Sequence, residues 1–75
     1  MKPIQVEINN EFIRLCDLLK VAGLADSGAQ GKHLVADGLV TVDGQAESRK
    51  TAKIRPGQWV LCHGKQIHVL AAKAS

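Results

Sequence analysis

With 75 residues, 45% of them hydrophobic and 23% charged, the chain has room for one small domain with a modest core; this excludes a disordered polymer and a second domain. No apolar run is long enough for a membrane span and the N-terminus lacks a signal-peptide pattern, so a cytoplasmic location and no membrane partner are expected. The net charge of +3 conceals a polarity: four bases and seven acids precede residue 49, whereas residues 49–75 carry six bases and no acid. A polyanion-binding face requires such a half, because each Lys or Arg near a phosphate releases a condensed counterion. Charge alone fits a solvated basic surface without a partner equally well.

Ile4, Val6 and Ile8 alternate with Gln5 and Glu7, which predicts a half-buried strand, placed at a sheet edge by Pro3. Asn9-Asn10 supplies an N-cap and Glu11 suits the positive end of a helix dipole. A first helix is therefore expected with Phe12, Leu15, Cys16 and Leu19 on its apolar face and Gly23 at its end. Leu24-Ala25-Asp26 is a short link, so the next helix should pack on the first. That second helix opens on Ser27-Gly28-Ala29-Gln30, which has capping-box spacing: the Ser27 hydroxyl accepts from the N–H three residues on, and the Gln30 side chain reaches back to the cap. Gly31, Leu34 and Val35 share its inward face and Lys32 lies at the flank. A glycine inside a helix is unfavourable by about 1 kcal/mol relative to alanine, so Gly31 on the inward face points to close approach of the first helix. Gly38 suits the C′ position, where the backbone needs a positive φ.

Leu39 to Val42 is β-prone, Asp43-Gly44 is a two-residue hairpin turn, and Gln45 to Glu47 forms a short return strand. Thr51 to Gly57 reads as a loop. Trp59 to Cys62 is the next strand, Gly64 marks a turn, and Ile67 to Leu70 makes the last strand with Ile67 and Val69 inward. Residues 71–75 read as a frayed tail. Phe12 is expected in the core, and Trp59 as a core or half-buried anchor in preference to a base-stacking platform. The element order implies an α+β fold, two packed helices on one face of a small, mainly antiparallel sheet, in a single domain over residues 1–75 with its core at about 11–70.

Other chemistries find little support. Cys16, Cys62, His63 and His68 have no paired metal-ligand spacing, and Cys62 and His63 point to opposite faces of a strand, so no metal or other cofactor is expected. Nucleophilic catalysis needs a thiol with an orienting base. Cys16 lies on the apolar stripe with no histidine assignable to it, so both cysteines read as buried thiols and the protein as a non-enzyme. Two function classes remain: a nucleic-acid-binding module, or a protein-interaction module docking an acidic partner through the same basic face.

The run Leu15-Cys16-Asp17-Leu18-Leu19-Lys20, then Ser27-Gly28-Ala29-Gln30, Lys32, Gly38, Val40, Val42-Asp43-Gly44, Glu47, Arg49-Lys50, Lys53-Ile54 and Gly57 resembles the alpha-L RNA-binding motif. That domain was first known from small-subunit ribosomal protein S-four, and the resemblance is to its small stand-alone YbcJ-like bacterial members. It covers about Leu15 to Val69 and rests on spacing across several elements. It implies two packed helices followed by a β-hairpin and further strands, and non-catalytic binding of structured RNA, often ribosomal RNA or a ribosomal particle, by a monomer. Carried over by position, the implied RNA contacts are Ser27, Gln30, Lys32, Arg49, Lys50 and Lys53; Arg55 joins them on charge alone. Three positions depart from the family pattern: Gly31 replaces the usual alanine, Gln58 stands where an acid often follows the Pro-Gly turn, and the second helix offers a single base, Lys32. With two aromatic residues in the chain, shape and backbone recognition of folded RNA is expected over reading of single strands.

Overall fold

The computed structural model describes residues 2–72. Strand β1 spans Ile4–Ile8, β2 Ile13–Arg14, helix α1 Leu15–Val21, helix α2 Gly28–Ala36, and then β3 Val40–Val42, β4 Gln45–Ala46, β5 Lys53–Ile54, β6 Trp59–Cys62 and β7 Lys65–Ala71. Five strands form one sheet in the order β1-β7-β6-β3-β4, and β2 pairs with β5 in a separate antiparallel ribbon. The α+β class and the two helices packed on a mainly antiparallel sheet are as expected. The sheet is nonetheless mixed, because the first and last strands run parallel, with Val6 opposite Val69. The frayed tail expected at 71–75 is not seen at its first two residues: Ala71 is the last residue of β7 and the Ala72 N–H donates to the Ile8 carbonyl at 2.9 Å; residues 73–75 lie outside the described residues.

The inner sheet face and the helices close one core. Alternation turns Val40, Val60, Cys62, Ile67 and Val69 inward, where they meet Leu15, Leu18, Leu19 and Val35 at 2% exposure or less. Each helix ends in a Schellman motif on the glycine that the sequence marks. Gly23 N–H donates to Lys20 O and Leu24 N–H to Leu19 O, while Gly38 N–H donates to Val35 O and Leu39 N–H to Leu34 O. Gly31 is where the helices touch. A Cβ there would lie 2.5 Å from the Cys16 carbonyl oxygen and 3.2 Å from the Cys16 Cα, both backbone atoms, so the absent methyl sets how closely α1 and α2 cross.

Helix α1 differs from expectation in where it starts. The stretch expected to open it, from Glu11 to Arg14, is not helical, and Ile13–Arg14 pairs with Lys53–Ile54. The physical reason is tertiary: Leu15 N–H donates to Ala52 O at 2.9 Å and Cys16 N–H to Lys50 O at 3.2 Å, so the orphan donors of the first turn are satisfied by the loop before β5, and the cap position, Arg14, makes no side-chain bond. Phe12 is therefore half-buried beside the ribbon, outside the core. The loop expected at 51–57 is correspondingly interrupted by β5.

Candidate nucleic-acid interface

Contacts from the start of α2 and from the loop before β5 meet at the N-terminus of α1. On one side lies the start of α2. Ser27 caps that helix, its Oγ accepting from the Gln30 N–H at 3.1 Å, and the Gln30 Oε1 accepts from the Asp26 N–H, one residue before the expected partner. Gly31 rests on Cys16, and a Cβ at Gly28 would stand 3.7 Å from Asp17 Oδ1. Lys32 follows Gly28 by four residues, hence on the same flank of the helix, and is exposed. On the other side lies the loop from Arg49 to Ala52, fixed to α1 by the Lys50 and Ala52 carbonyls. Gly28 and Gly31 of α2 thus abut Asp17 and Cys16, while the Ala52 and Lys50 carbonyls hold the N–H groups of Leu15 and Cys16.

The β2–β5 ribbon adds residues that sequence reasoning missed. Arg14 sits directly opposite Lys53 in the antiparallel register, so the two side chains share a face. The Lys53 ammonium stands over the Phe12 ring, 4.9 Å from its centroid. Lys53 and Arg55 are exposed on either side of buried Ile54. Two-residue strands have no periodicity of their own, so nothing in the sequence announces this pairing.

The cations differ in how free they are. Arg49 donates from Nε to Glu47 Oε1 at 3.2 Å and from Nη2 to Glu47 Oε2 at 3.4 Å, and its N–H also donates to Oε1 at 2.9 Å. This contact raises the Arg49 pKa and lowers that of Glu47, whose largest cause is the Arg49 side-chain bond. Arg14 donates from Nε to Asp17 Oδ2 at 3.0 Å. Lys32, Lys50 and Lys53 make no ion pair with another described residue. The start of α2 is crowded for an anion, since the Gln30 N–H is taken by Ser27 and the Asp17 carboxylate lies beside Gly28.

The hairpin tip orders the far end of the basic segment. Asp43 and Gly44 have φ of 51° and 85°, as a type I′ turn requires. The Asp43 carboxylate accepts from the Trp59 N–H and from Gln58 Nε2, both at 3.0 Å, and these bonds, the Trp59 N–H foremost, hold its pKa below the ordinary value. Gln58 Oε1 in turn accepts from the Arg55 N–H at 2.7 Å. The departure at Gln58 is thus compensated. Its carbonyl oxygen accepts as a carboxylate would, and its NH2 satisfies Asp43, which an acid in that place would repel.

Trp59 corrects the expectation of a core or anchor role. It is 41% exposed on the sheet face away from the helices, because Val60 and Cys62 take the inward positions of β6. Cys16 and Cys62 are buried free thiols, and burial pushes the Cys62 pKa up, disfavouring the thiolate a nucleophile needs. Among the described residues no group of His, Cys, Asp and Glu is placed to hold a metal ion, and no helix is long and apolar enough to cross a membrane.

The S4 domain model matches residues 6–70. YbcJ of Escherichia coli (strain K12) is 49% identical over 59 residues, which cover 79% of this chain and 84% of YbcJ. The solution structure of E. coli YbcJ, described as revealing an alpha-L motif involved in RNA binding, superposes with a TM-score of 0.74 at 40% identity over 95% of this chain and 91% of that one. A tyrosine–tRNA ligase of Ralstonia nicotianae is 34% identical over 62 residues, but they make up 16% of that enzyme. The 30S ribosomal protein S4e of Thermoplasma acidophilum shares the fold, with a TM-score of 0.63 at 21% identity over 76% of this chain and 30% of that protein.

Proposed function

The chain belongs to the S4 domain family, and from that membership we propose that it is a non-enzymatic, monomeric RNA-binding protein that grips structured RNA through the basic face around the start of α1. The RNA we favour is ribosomal, free or in a ribosomal particle, and the compartment the cytoplasm. The proposed contacts are Ser27, Gln30, Lys32, Arg49, Lys50, Lys53 and Arg55, and Arg14 joins them through its place opposite Lys53.

One observation carries the reading: the Lys50 carbonyl closes on the first turn of α1, while Gly31 of α2 closes on the same turn from the other side, so cations remote in sequence flank one junction. Lysine supplies a mobile point charge and arginine a planar fork, and both suit phosphate oxygens. Recognition of backbone and shape fits this face better than base reading, because its one aromatic ring, Phe12, is already engaged by Lys53.

The test is amide chemical-shift mapping with a fully paired hairpin from ribosomal RNA at low salt. Shifts should concentrate at Arg14, Ser27 to Lys32 and Arg49 to Arg55. Shifts confined to other surfaces, or no binding at low salt, would overturn the proposal.

A further inference from the structure

The β2–β5 ribbon crowds like charges on one face. Arg14 and Lys53 are directly opposite in its antiparallel register. By alternation along β5, Arg55 shares the exposed face with Lys53, while Ile54 between them is buried. Continued by one residue, the same register sets Arg55 across from Phe12. Like charges directly opposite are destabilising, so Lys53 needs a restraint to stay on this face. No acid supplies one among the described residues: Asp17 pairs with Arg14, and Glu47 with Arg49. The restraint is Phe12, half-buried beside the ribbon, whose ring centroid lies 4.9 Å from the Lys53 ammonium. Arg14 is drawn toward Asp17, further along the chain, and Lys53 toward Phe12, which precedes Arg14. The opposed cations are thereby pulled in different directions along the ribbon.

A ring restrains an ammonium in a way that a carboxylate does not. Glu47 holds Arg49 by ion pairing, and an RNA phosphate must compete with it. The face of a phenyl ring carries a quadrupole and no net charge. Lys53 therefore keeps its full charge, and those of its three N–H donors that point away from the ring are open to phosphate oxygens. A lysine side chain also carries a large rotamer entropy. Less of it is lost on binding when the head group is already placed.

We infer that Phe12 is a positioning residue for RNA: its ring holds the Lys53 ammonium at the point where that group meets a backbone phosphate. The inference rests on the basic face being the RNA-binding face, and adds to it a residue with no charge of its own.

Two measurements test it. In the free protein the ring current should move the Lys53 ε-methylene protons upfield of those of the other lysines. That shift should persist when a fully paired RNA hairpin is bound. Its absence from the free protein, or its loss on binding, would overturn the inference, the latter because phosphate then draws Lys53 off the ring. For affinity, the hairpin is titrated by anisotropy with Phe12→Leu, Phe12→Tyr, Lys53→Ala and the Phe12→Leu/Lys53→Ala double variant, with circular dichroism as the check on folding. Phe12→Leu should weaken binding about two- to five-fold, and Phe12→Tyr should bind as the parent does. Once Lys53 is alanine, Phe12→Leu should have no further effect. A loss from Phe12→Leu that is equally large in the Lys53→Ala background would mean that the ring merely supports the ribbon, and would overturn the inference. Unchanged or raised affinity in Phe12→Leu would also overturn it, and would leave the RNA-binding reading standing. No hairpin binding by the parent at low salt would remove that reading and the inference with it.

Discussion

Replacing Gly31 with alanine opposes two effects that the structure allows to be weighed. In an isolated helix the change is favourable by about 1 kcal/mol, because alanine restricts the unfolded chain and glycine does not. In this fold the new methyl would meet the Cys16 carbonyl oxygen at 2.5 Å and the Cys16 Cα at 3.2 Å. Neither is the end of a flexible side chain, so α1 and α2 must move apart, and overpacking of this kind typically costs about 1–3 kcal/mol. Overpacking wins, and a net loss of about 1 kcal/mol is expected, a fall in melting temperature of about 4–8 °C for a domain of this size. Because Cys16 N–H also holds the Lys50 carbonyl, the displacement should reach the basic loop and weaken RNA binding in protein that is still folded. Gly28→Ala is the internal control: its methyl would meet Asp17 Oδ1 at 3.7 Å, an ordinary contact, so that variant should be as stable as the parent or more so. Urea unfolding followed by circular dichroism measures both. A Gly31→Ala protein more stable than the parent by about 1 kcal/mol would show that helix propensity decides and that the close crossing is not a constraint.

Two further outcomes follow from the ion pairs and the turn. Glu47→Gln releases Arg49 from its carboxylate and should raise affinity for a paired RNA about two- to three-fold at low salt, read by anisotropy; a fall would mean that Glu47 orients Arg49 for binding. The Asp43 and Glu47 carboxyls are both held below their usual 3.8 and 4.5, by the Trp59 N–H and by the Arg49 side chain respectively. Their contribution to stability is therefore fully present above those usual values and lost as the pH falls through the lowered ones. Melting temperature should decline on acidification in that window, and Asp43→Asn, which tolerates the positive φ of the turn, should flatten the decline. An acid limb unchanged in Asp43→Asn would show that the carboxylate's bonds to Trp59 and Gln58 carry no charge-dependent stability.

Features with a local signature were legible in the sequence. The Ser27 cap, the Asp43-Gly44 turn, the helix-ending glycines and the inward alternation of Ile67 and Val69 each depend on residues within a few positions of one another. The close approach at Gly31 was legible too, because a glycine on an inward helix face sacrifices both helix propensity and buried apolar area unless a neighbouring backbone takes the space. Non-local pairing was not. The parallel alignment of β1 with β7, and the β2–β5 ribbon that shortens α1 and brings Arg14 opposite Lys53, join segments far apart in sequence, and two-residue strands are too short to carry a period. Trp59 is a different case. Its alternation with Val60 and Cys62 already places it outward. The basic segment was obvious from charge, but the pairing of Arg49 with Glu47 and the seating of the Lys53 ammonium over Phe12 depend on side-chain geometry that spacing does not specify.

The central claim is that cations from two distant segments act together on RNA phosphates, and the salt dependence of binding tests it most directly. Affinity for a paired ribosomal RNA fragment should fall with salt at a log–log slope of about −3 to −4, as four or five phosphate contacts require. In the Arg49→Ala/Lys50→Ala/Lys53→Ala variant the slope should become shallower by about 2, with the fold intact by circular dichroism. A slope unchanged in that variant would contradict the account, whatever happened to the affinity itself.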